Sequence, residues 1–194
     1  LKEEGVVVSL SSVKRTLDRH NLLKKRWHRS RHISPARPFV EHPGDLVQLD
    51  TIHLLRKDGS KVYIFTGLDV RTRFAHAWAA ERANALTALC FLRRMRKATP
   101  FAIKMLQSDN GSEFSRTFSE RARVEHRHSR VRRPNDNAHL ERFNRTIQDE
   151  CLDALPKDTK IINRNLPKYL RYYNEKRHHF GLNLQTPLQV VRSY

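Results

Sequence analysis

Apolar and polar residues alternate along segment 45–55, DLVQLDTIHLL, and this alternation predicts a β-strand. One face of this strand would carry Leu46, Gln48, Asp50, Ile52 and Leu54. Segments 61–73 and 74–81 are also strand-like, and the polar run KDGS at 57–60 supplies a hairpin turn before the first of them. The pattern therefore predicts three hairpin-like strands in succession.

After residue 83 the spacing changes to that of helices alternating with short strands. Asn84 can cap a helix that runs to about Lys97, with apolar residues three or four positions apart. The remaining predicted elements are a strand, a helix, a strand and two helices, at 101–109, 112–123, 124–130, 136–155 and 163–178. This order of elements predicts an α/β fold, in which helices flank a mixed five-stranded sheet.

The N-terminal region follows a different pattern. Segment 9–26 predicts one short helix, capped by Ser11 or Ser12 and stopped by Asn21 in a left-handed conformation. From Lys24 to Arg37 the chain carries six Lys or Arg residues and no acid, and prolines occur at 35, 38 and 43. We interpret this stretch as an extended basic linker that contacts DNA, with a solvated charge run as the alternative.

The overall charge points to a polyanionic partner. The 194 residues include 38 Lys and Arg against 20 Asp and Glu, which gives a formal net charge of +18. Such an excess favours DNA, because each basic side chain that neutralises a phosphate releases a condensed counterion. A generally basic protein without such a partner is the alternative.

Several other classes of protein are disfavoured. The chain has no long apolar run and no basic amphipathic helix with a coherent apolar face, so we expect no membrane association. Cys90 and Cys151 lie far apart and form no CxxC pair, which argues against a disulfide framework or a cysteine zinc finger. We expect a reducing, cytosol-like compartment. Because the chain begins at Leu1 rather than Met, we also expect sequence upstream of it.

Two aspartates occupy unusual positions. Asp50 lies in the middle of an apolar strand, where a carboxylate needs a cation, a hydrogen-bond network or an open cleft. Asp109 ends the fourth predicted strand, just before Asn110-Gly111, and by itself reads as a turn residue. If the first and fourth strands are neighbours, both carboxylates lie at one edge of the sheet.

The predicted helix 136–155 has two faces of opposite character. The polar face carries Asn137, Glu141, Arg145 and Gln148. The apolar face carries Leu140, Phe143, Ile147 and Cys151. By itself Glu141 reads as a solvated residue paired with Arg145, but together with Asp50 and Asp109 it suggests a site built from three acids.

Four segments carry recognisable motifs: PGDLVQLDTIHL, LQSDNGSEF, RPNDNAHLERFNRTIQDECL and YLRYYNEKRHHFGLNLQTPLQV. In this order they resemble the integrase-core catalytic domain of insertion-sequence transposases, which is related to retroviral integrases. The resemblance runs from about Gly44 to Pro187, roughly three-quarters of the chain. It implies a ribonuclease-H-like fold with an Asp-Asp-Glu triad formed by Asp50, Asp109 and Glu141.

The chemistry expected of that triad is metal-dependent DNA strand cleavage and strand transfer. Carboxylates are suitable ligands for Mg²⁺ or Mn²⁺, and two such ions can clamp the attacking and leaving oxygens of a phosphodiester. We expect Asp50 to bridge the two ions, Asp109 to hold one and Glu141 to hold the other. Asn110 and Asn137 are expected to orient substrate or ligands.

The resemblance also implies a domain organisation and partners. Residues 1–23 would be the remnant of a helix-turn-helix DNA-binding region, 24–43 a basic linker, and 44–194 the catalytic core with a C-terminal helical extension. Element ends and target DNA would be the partners of a homo-multimer in the cytoplasm of a bacterial-type cell. The DNA contacts expected are Lys24, Lys25, Arg26, Arg130, Arg132, Arg133, Arg142 and Arg145.

The chain departs from the family pattern in its spacing. Asp109 and Glu141 are 32 positions apart, a few residues fewer than is usual in the family. The usual spacing would place the glutamate at position 145, which is Arg in this chain. The surrounding ERFNRT motif identifies Glu141 as the triad residue and puts the shortening between Gly111 and Pro134.

No zinc site is expected. The N-terminal half before Cys90 contains no cysteine, so the His-Cys zinc module of retroviral integrases is missing. His20, His28 and His32 are interpreted as linker residues.

Two alternative functions stay open. The chain could be a catalytically inactive DNA-binding remnant of a transposase, for which the short interval argues, or another ribonuclease-H-like nuclease. The DNGSEF, ERFNRT and YNEKRHH motifs favour the transposase over both.

Overall fold

The computed structural model describes most of the chain: residue 5 and residues 8–22, 38–129 and 137–194. Two compact units are present, Leu1–Ile33 and Ser34–Tyr194, and each is described separately. Lys24, Lys25 and Arg26 fall outside the described residues, as do Arg130, Arg132 and Arg133 and the histidines His28 and His32.

Helix α1 spans Leu10–Arg19 in the first unit. It starts earlier than predicted, because the hydroxyl of Ser9 accepts a hydrogen bond from the backbone N–H of Ser12 at 3.1 Å. The prediction of a cap at Ser11 or Ser12 was therefore wrong. Asn21 has a φ of 55°, which confirms it as the left-handed residue after the helix.

The second unit contains a mixed five-stranded sheet, as predicted. Its strands are β1 Val47–Leu55, β2 Lys61–Asp69, β3 Ala75–Ala80, β4 Met105–Ser108 and β5 Glu125–His128. The order across the sheet is β3-β2-β1-β4-β5. The β1–β2 and β2–β3 pairs are antiparallel, whereas β4 lies parallel to both β1 and β5. The first and fourth strands are thus neighbours.

The helices of this unit connect and cover the strands. They are α2 Ala85–Ala98, α3 Arg116–Ala122, α4 Ala138–Ile147, α5 Thr159–Glu175 and α6 Pro187–Arg192. Short 3₁₀ turns occur at Ser112–Phe114 and Phe180–Leu182. Helix α2 is capped by Asn84, as predicted, through a 3.0 Å bond from Thr87 N–H to its side-chain oxygen.

Several predicted boundaries differ from the observed ones. Strand β2 ends at Asp69 because Asp69 Oδ2 accepts hydrogen bonds from the backbone and hydroxyl of Thr72, both at 2.8 Å, and the chain turns there. Helix α5 begins at Thr159 rather than at residue 163, because the carboxylate of Asp158 caps it.

Helix α4 continues as a π-helical segment, Gln148–Leu152, instead of running as an α-helix to residue 155. This segment presents Glu150, which accepts a 2.8 Å bond from Arg177 Nη2 and a 3.0 Å bond from Tyr169 Oη. The far end of α4 is therefore tied to α5 and to the residues that follow α5.

Both faces of the sheet are buried. On one face α4 and α5 pack on the sheet, in a cluster that includes Leu54, Ile64, Leu68, Leu140, Phe143 and Leu166. On the other face α2 and α3 pack through Leu49, Phe65, Phe91, Met95, Leu106 and Phe118. Such two-sided burial explains why a polar residue at the centre of β1 stands out.

Gly44 holds the start of β1 close to the segment before β4. Its φ is +83°, and a Cβ at this position would lie only 2.0 Å from the carbonyl oxygen of Ala102. The carbonyl of Gly44 accepts a 2.8 Å bond from Lys104 N–H, and its own N–H donates to Asp69 Oδ1 at 2.8 Å. These contacts set the relative positions of β1 and β4.

None of the helices in the described ranges is long and apolar enough to cross a membrane.

Candidate active site

The parallel pairing of β1 and β4 brings Asp50 and Asp109 to one edge of the sheet. The paired positions run from Val47 opposite Leu106 to Leu49 opposite Ser108. Asp50 follows Leu49 within β1, and Asp109 follows Ser108 at the end of β4, so both aspartates come immediately after the last pair. This register confirms the expectation that the two carboxylates share one edge.

Asp50 is partly buried and is held by two hydrogen bonds. The backbone N–H of Thr51 donates to Oδ1 at 2.8 Å, and Asn144 Nδ2 donates to Oδ2 at 2.7 Å. Burial raises the pKa of Asp50, and the negative charges of Asp109 and Glu113 act in the same direction. The two hydrogen bonds lower the pKa without fully offsetting burial. Within the described residues, the groups that contact the Asp50 carboxylate are thus neutral.

Asp109 has an exposed side chain on a fixed backbone. Its Oδ1 accepts a 2.9 Å bond from Gly111 N–H, so the turn suggested by the DNG sequence is present. Its carbonyl accepts hydrogen bonds from Ser108 Oγ and from His128 Nδ1 of β5, each at 2.8 Å. Asp109 therefore forms the predicted turn, and it is also one of the three acids predicted to form the site.

Helix α4 is attached to the sheet on either side of Glu141. At its start, Gln107 Nε2 of β4 donates to Asn137 Oδ1 at 2.9 Å. Further along, Asn144 donates to Asp50 of β1. Glu141 lies four residues after Asn137 and three before Asn144, on the same helical face, and its side chain is exposed. The two contacts orient this face toward the edge with Asp50 and Asp109.

The predicted division of this helix into two faces is confirmed. Leu140, Phe143 and Ile147 are all buried, while Glu141 and Arg145 are exposed. Within the described residues, Arg145 forms a salt bridge with Asp149, and its Nε lies 3.9 Å from Asp149 Oδ2. The simple reading of Glu141 as the partner of Arg145 is therefore not the geometry observed.

The other predicted site residues have different positions. Asn137 joins α4 to β4 through Gln107, which makes it a residue that orients the helix. Asn110 is exposed at the bend after β4, and within the described ranges its side chain forms no hydrogen bond. Arg142 is exposed on α4, next to Glu141.

Sequence reasoning missed two polar residues that are buried at this edge. Asn144 is 8% exposed and contacts Asp50. It belongs to the ERFNRT motif, but the motif alone does not indicate this contact. Glu113 is also 8% exposed and lies in the 3₁₀ turn Ser112–Phe114. Its place in the DNGSEF motif, four residues after Asp109, was the available signal.

The donors at this edge have the chemistry that a divalent cation requires. Carboxylate oxygens suit hard ions such as Mg²⁺ and Mn²⁺. The amide oxygen of Asn144 is buried beside Asp50 without a hydrogen-bond partner in the described structure. In the same ranges, no three His, Cys, Asp or Glu side chains form a group that could hold a metal ion. The donor set thus fits a cation, while its side chains are not gathered around a single point.

Two family models with the same description match overlapping parts of this chain. Sequence models described as "Integrase core domain" match residues 40–134 and residues 122–187.

Related sequences come from mobile elements and a virus. The transposase for insertion sequence element IS904 of Lactococcus lactis is 30% identical over 146 residues, covering 71% of this chain and 57% of the relative. The putative integrase ORF3 of Spiroplasma virus SpV1-C74 is 23% identical over 177 residues, covering 76% of this chain and 48% of the relative. The chain therefore spans about half the length of these relatives.

Retroviral integrases are among the solved structures with a similar fold. The catalytic core domain of HTLV-2 integrase, solved in complex with magnesium, matches with a TM-score of 0.58 and 16% identity, covering 77% of this chain and 97% of that chain. A chain of the simian T-cell lymphotropic virus intasome matches with a TM-score of 0.63 and 18% identity, covering 83% and 59%. These likenesses confirm the ribonuclease-H-like fold that was expected.

Proposed function

The chain belongs to the integrase-core domain family, and we propose that it is the catalytic part of a DDE-type DNA transposase. The reaction proposed is DNA strand cleavage followed by strand transfer. The observation that carries this proposal is the register of β1 and β4, which places Asp50 beside Asp109 while Asn144 of α4 donates to Asp50. Glu141 completes the proposed triad from the same helix.

Asp50, Asp109 and Glu141 would hold two Mg²⁺ or Mn²⁺ ions. Bound at this edge, divalent ions supply Lewis-acid activation of the scissile phosphate. The raised pKa of Asp50, caused first by burial, supports this assignment, because no cation contacts this carboxylate among the described residues. The chain's own contribution is positioning: Asn144 holds the Asp50 carboxylate, Gln107 fixes the start of α4, and His128 fixes the backbone of Asp109.

The nucleophile of the proposed reaction is not a protein side chain. In cleavage, a water oxygen attacks phosphorus and the bond from phosphorus to the 3′ oxygen breaks, which releases a 3′-hydroxyl. In strand transfer, the oxygen of that hydroxyl bonds to the phosphorus of a target phosphodiester as the bond from this phosphorus to the target's own 3′ oxygen breaks. The attacking hydroxyl loses its proton, and the target strand is left with a 3′-hydroxyl. The buried hydroxyl of Ser108 donates to the carbonyl of Asp109 and lies 2.9 Å from His126 Nε2, which suits a structural role.

DNA would lie along the exposed face of α4. Arg142 and Arg145 follow Glu141 on this helix, and both are exposed, so we infer that they contact phosphates. The linker residues 24–26 and the arginines at 130, 132 and 133 are proposed to add further contacts. A homo-multimer would join two element ends to target DNA, in the cytoplasm of a bacterial-type cell.

The proposed domain organisation has three parts. Residues 1–23 are a remnant of a helix-turn-helix region, 24–43 a basic linker, and 44–194 the catalytic core with its C-terminal helical extension. The match of the integrase-core models to residues 40–187 supports the position of the core.

A plasmid assay tests the function directly. Supercoiled DNA is incubated with Mn²⁺ and either the intact chain, Asp50→Asn or Asp58→Asn, and nicked and joined products are counted. Asp58 is a suitable control because it lies in the β1–β2 hairpin turn and contacts Ser60. We expect products from the intact chain and Asp58→Asn, none from Asp50→Asn, and DNA binding by all three.

The same assay separates the alternatives. DNA binding by the intact chain without any product would contradict the enzyme and indicate a binding remnant. Nicked DNA that is never joined would indicate a ribonuclease-H-like nuclease. Full activity of Asp50→Asn would contradict the triad.

A further inference from the structure

Glu113 is a buried acid at the same edge of the sheet, outside the proposed triad. It lies in the 3₁₀ turn Ser112–Phe114, which follows directly from the turn at Asp109–Gly111. The residue is 8% exposed, so more than nine-tenths of its surface is removed from water. An acid removed from water to this extent usually has a hydrogen-bond or ionic partner.

The carboxylates of Glu113 and Asp109 face each other across Gly111. A Cβ at Gly111 would lie 2.9 Å from Glu113 Oε2 and 3.0 Å from Asp109 Oδ1. The φ of Gly111 is −59°, a value open to any residue, so the missing side chain matters for space rather than for backbone freedom. Glycine leaves room between the two carboxylates.

Within the described ranges, nothing in the protein compensates the charge of Glu113. No hydrogen bond or ion pair involves its carboxylate there, although the neighbouring helix α3 supplies Arg116, which pairs instead with Glu120 at 2.6 Å. The charge of Glu113 also acts on Asp50 as a like charge. Three acids therefore repel one another at an edge where the described contacts supply no cation.

We propose that Glu113 is a fourth acidic residue of the site, whose charge favours the binding of a divalent cation beside Asp50 and Asp109. This inference rests on the proposed function, since it concerns the same site. The second observation that points to a ligand is the amide oxygen of Asn144, which is buried at Asp50 without a partner in the described structure. Glu113 acts through its charge and is not assigned a coordination geometry.

The inference predicts opposite effects on stability with and without metal. Glu113→Gln removes a repulsive charge, so in EDTA the melting temperature should be equal to or higher than that of the intact chain. With Mn²⁺ present, the rise in melting temperature should be smaller in the variant. Mn²⁺ affinity, measured by electron paramagnetic resonance of free Mn²⁺, should fall about tenfold, as expected for the loss of one nearby charge.

Two further variants make the test specific. Glu113→Asp keeps the charge and should bind Mn²⁺ more tightly than Glu113→Gln. If the glutamine variant does not fold, the aspartate variant is compared with the intact chain instead. Glu120→Gln removes an exposed acid of α3 and should leave the response to Mn²⁺ unchanged.

The possible outcomes distinguish this inference from the proposed function. If the intact chain responds to Mn²⁺ and Glu113→Gln responds equally, Glu113 is not part of the site. A lower melting temperature of Glu113→Gln in EDTA would show a structural role and also overturn the inference. If the intact chain shows no response to Mn²⁺, the metal-dependent function itself fails, and the inference fails with it.

Discussion

At the scale of single residues, the site depends on polar groups that hold carboxylates without neutralising them. Asp50 receives hydrogen bonds from Thr51 and Asn144, and both donors are neutral. The like charges of Asp109 and Glu113 lie nearby and oppose its ionisation. Such an arrangement costs stability and is typical of a site that is completed by a ligand.

Replacing Asn144 should reduce both the strand-transfer activity and the stability of the protein. Asn144→Ala removes the 2.7 Å bond to Asp50, and we expect strand transfer to fall roughly 10- to 100-fold, as for other residues that orient a metal ligand. The free energy of unfolding should fall by about 1–3 kcal/mol, because Asp50 loses a partner. Plasmid assays and urea unfolding measure the two effects.

The control for this prediction is Asn165→Ala. Asn165 lies on α5, and its amide donates to the carbonyl of Ile161 at 2.9 Å, away from the site. Its replacement should leave strand transfer unchanged. Wild-type activity in Asn144→Ala would contradict the role given to this residue.

A second residue-scale prediction concerns pH. Burial, with a smaller effect of Arg94, lowers the pKa of His76 to about 4, whereas an unfolded histidine titrates near 6.5. Between these values the unfolded chain binds a proton that the folded chain does not. This contribution to stability is complete above about pH 6.5 and is lost as the pH falls toward 4.

His76→Phe should make the pH dependence of stability shallower. The ring of His76 stacks on Phe91 at 5.8 Å, so phenylalanine can keep the packing without the titration. The pKa of His126 is also lowered to about 4, first by burial, so part of the slope should remain. Urea unfolding at about pH 7 and pH 5 checks this, and an unchanged slope would contradict it.

At the scale of elements, the alternation of apolar residues predicted the strands and the two faces of α4, because burial on a sheet or helix follows a fixed period. The contact between Asn144 and Asp50 was not predictable, since the two residues are 94 positions apart. The burial of Glu113 depends likewise on how the turn after β4 folds back. The π-helical end of α4 had no signal in the apolar spacing, which continues to Cys151.

The edge strand β3 is held by two asparagines of α5. Asn174 accepts from Ala75 N–H and donates to Ala75 C=O, both at 2.9 Å, and Asn163 makes the same pair of bonds with Ala79. These side chains replace the neighbouring strand that an edge lacks. They also fix α5 on the sheet, and α5 in turn supports α4.

Asn174→Ala should destabilise the protein by about 1–3 kcal/mol, because the buried N–H and C=O of Ala75 lose their partners. Asn163→Ala should cost less, since its contacts are only partly buried and water can replace them. Urea unfolding of both variants measures the difference. A larger loss for Asn163→Ala would contradict this account of the edge.

At the scale of the whole molecule, charge and fold point to the same class of partner. The net charge of +18 and the match to the integrase-core domain are separate observations, and both support the proposal that the chain binds DNA. The sequence predicted the fold well because four motifs in order carry the resemblance. It is less informative on DNA contacts, because basic side chains recur along the whole chain and their spacing does not show which of them face a phosphate. The eight expected contacts stay predictions, and six of these residues lie outside the described residues.

DNA binding should weaken steeply as the salt concentration rises. The logarithm of affinity should fall linearly with the logarithm of salt concentration, because binding releases counterions. Arg142→Ala should reduce the magnitude of this slope by about 0.9, the value for one phosphate contact on duplex DNA. Fluorescence anisotropy over a salt series measures it, with the exposed Arg116→Ala of α3 as control. An unchanged slope would exclude Arg142 as a phosphate contact.

The central claim is that Asp50, Asp109 and Glu141 act as one catalytic unit. The most direct measurement is the joining of supercoiled DNA with Mn²⁺ by Asp50→Asn, Asp109→Asn and Glu141→Gln. All three variants should bind DNA and give no joined product, whereas Glu150→Gln, which alters the salt bridge to Arg177, should retain the activity. Joined product from Glu141→Gln at the level of the intact chain would contradict the claim.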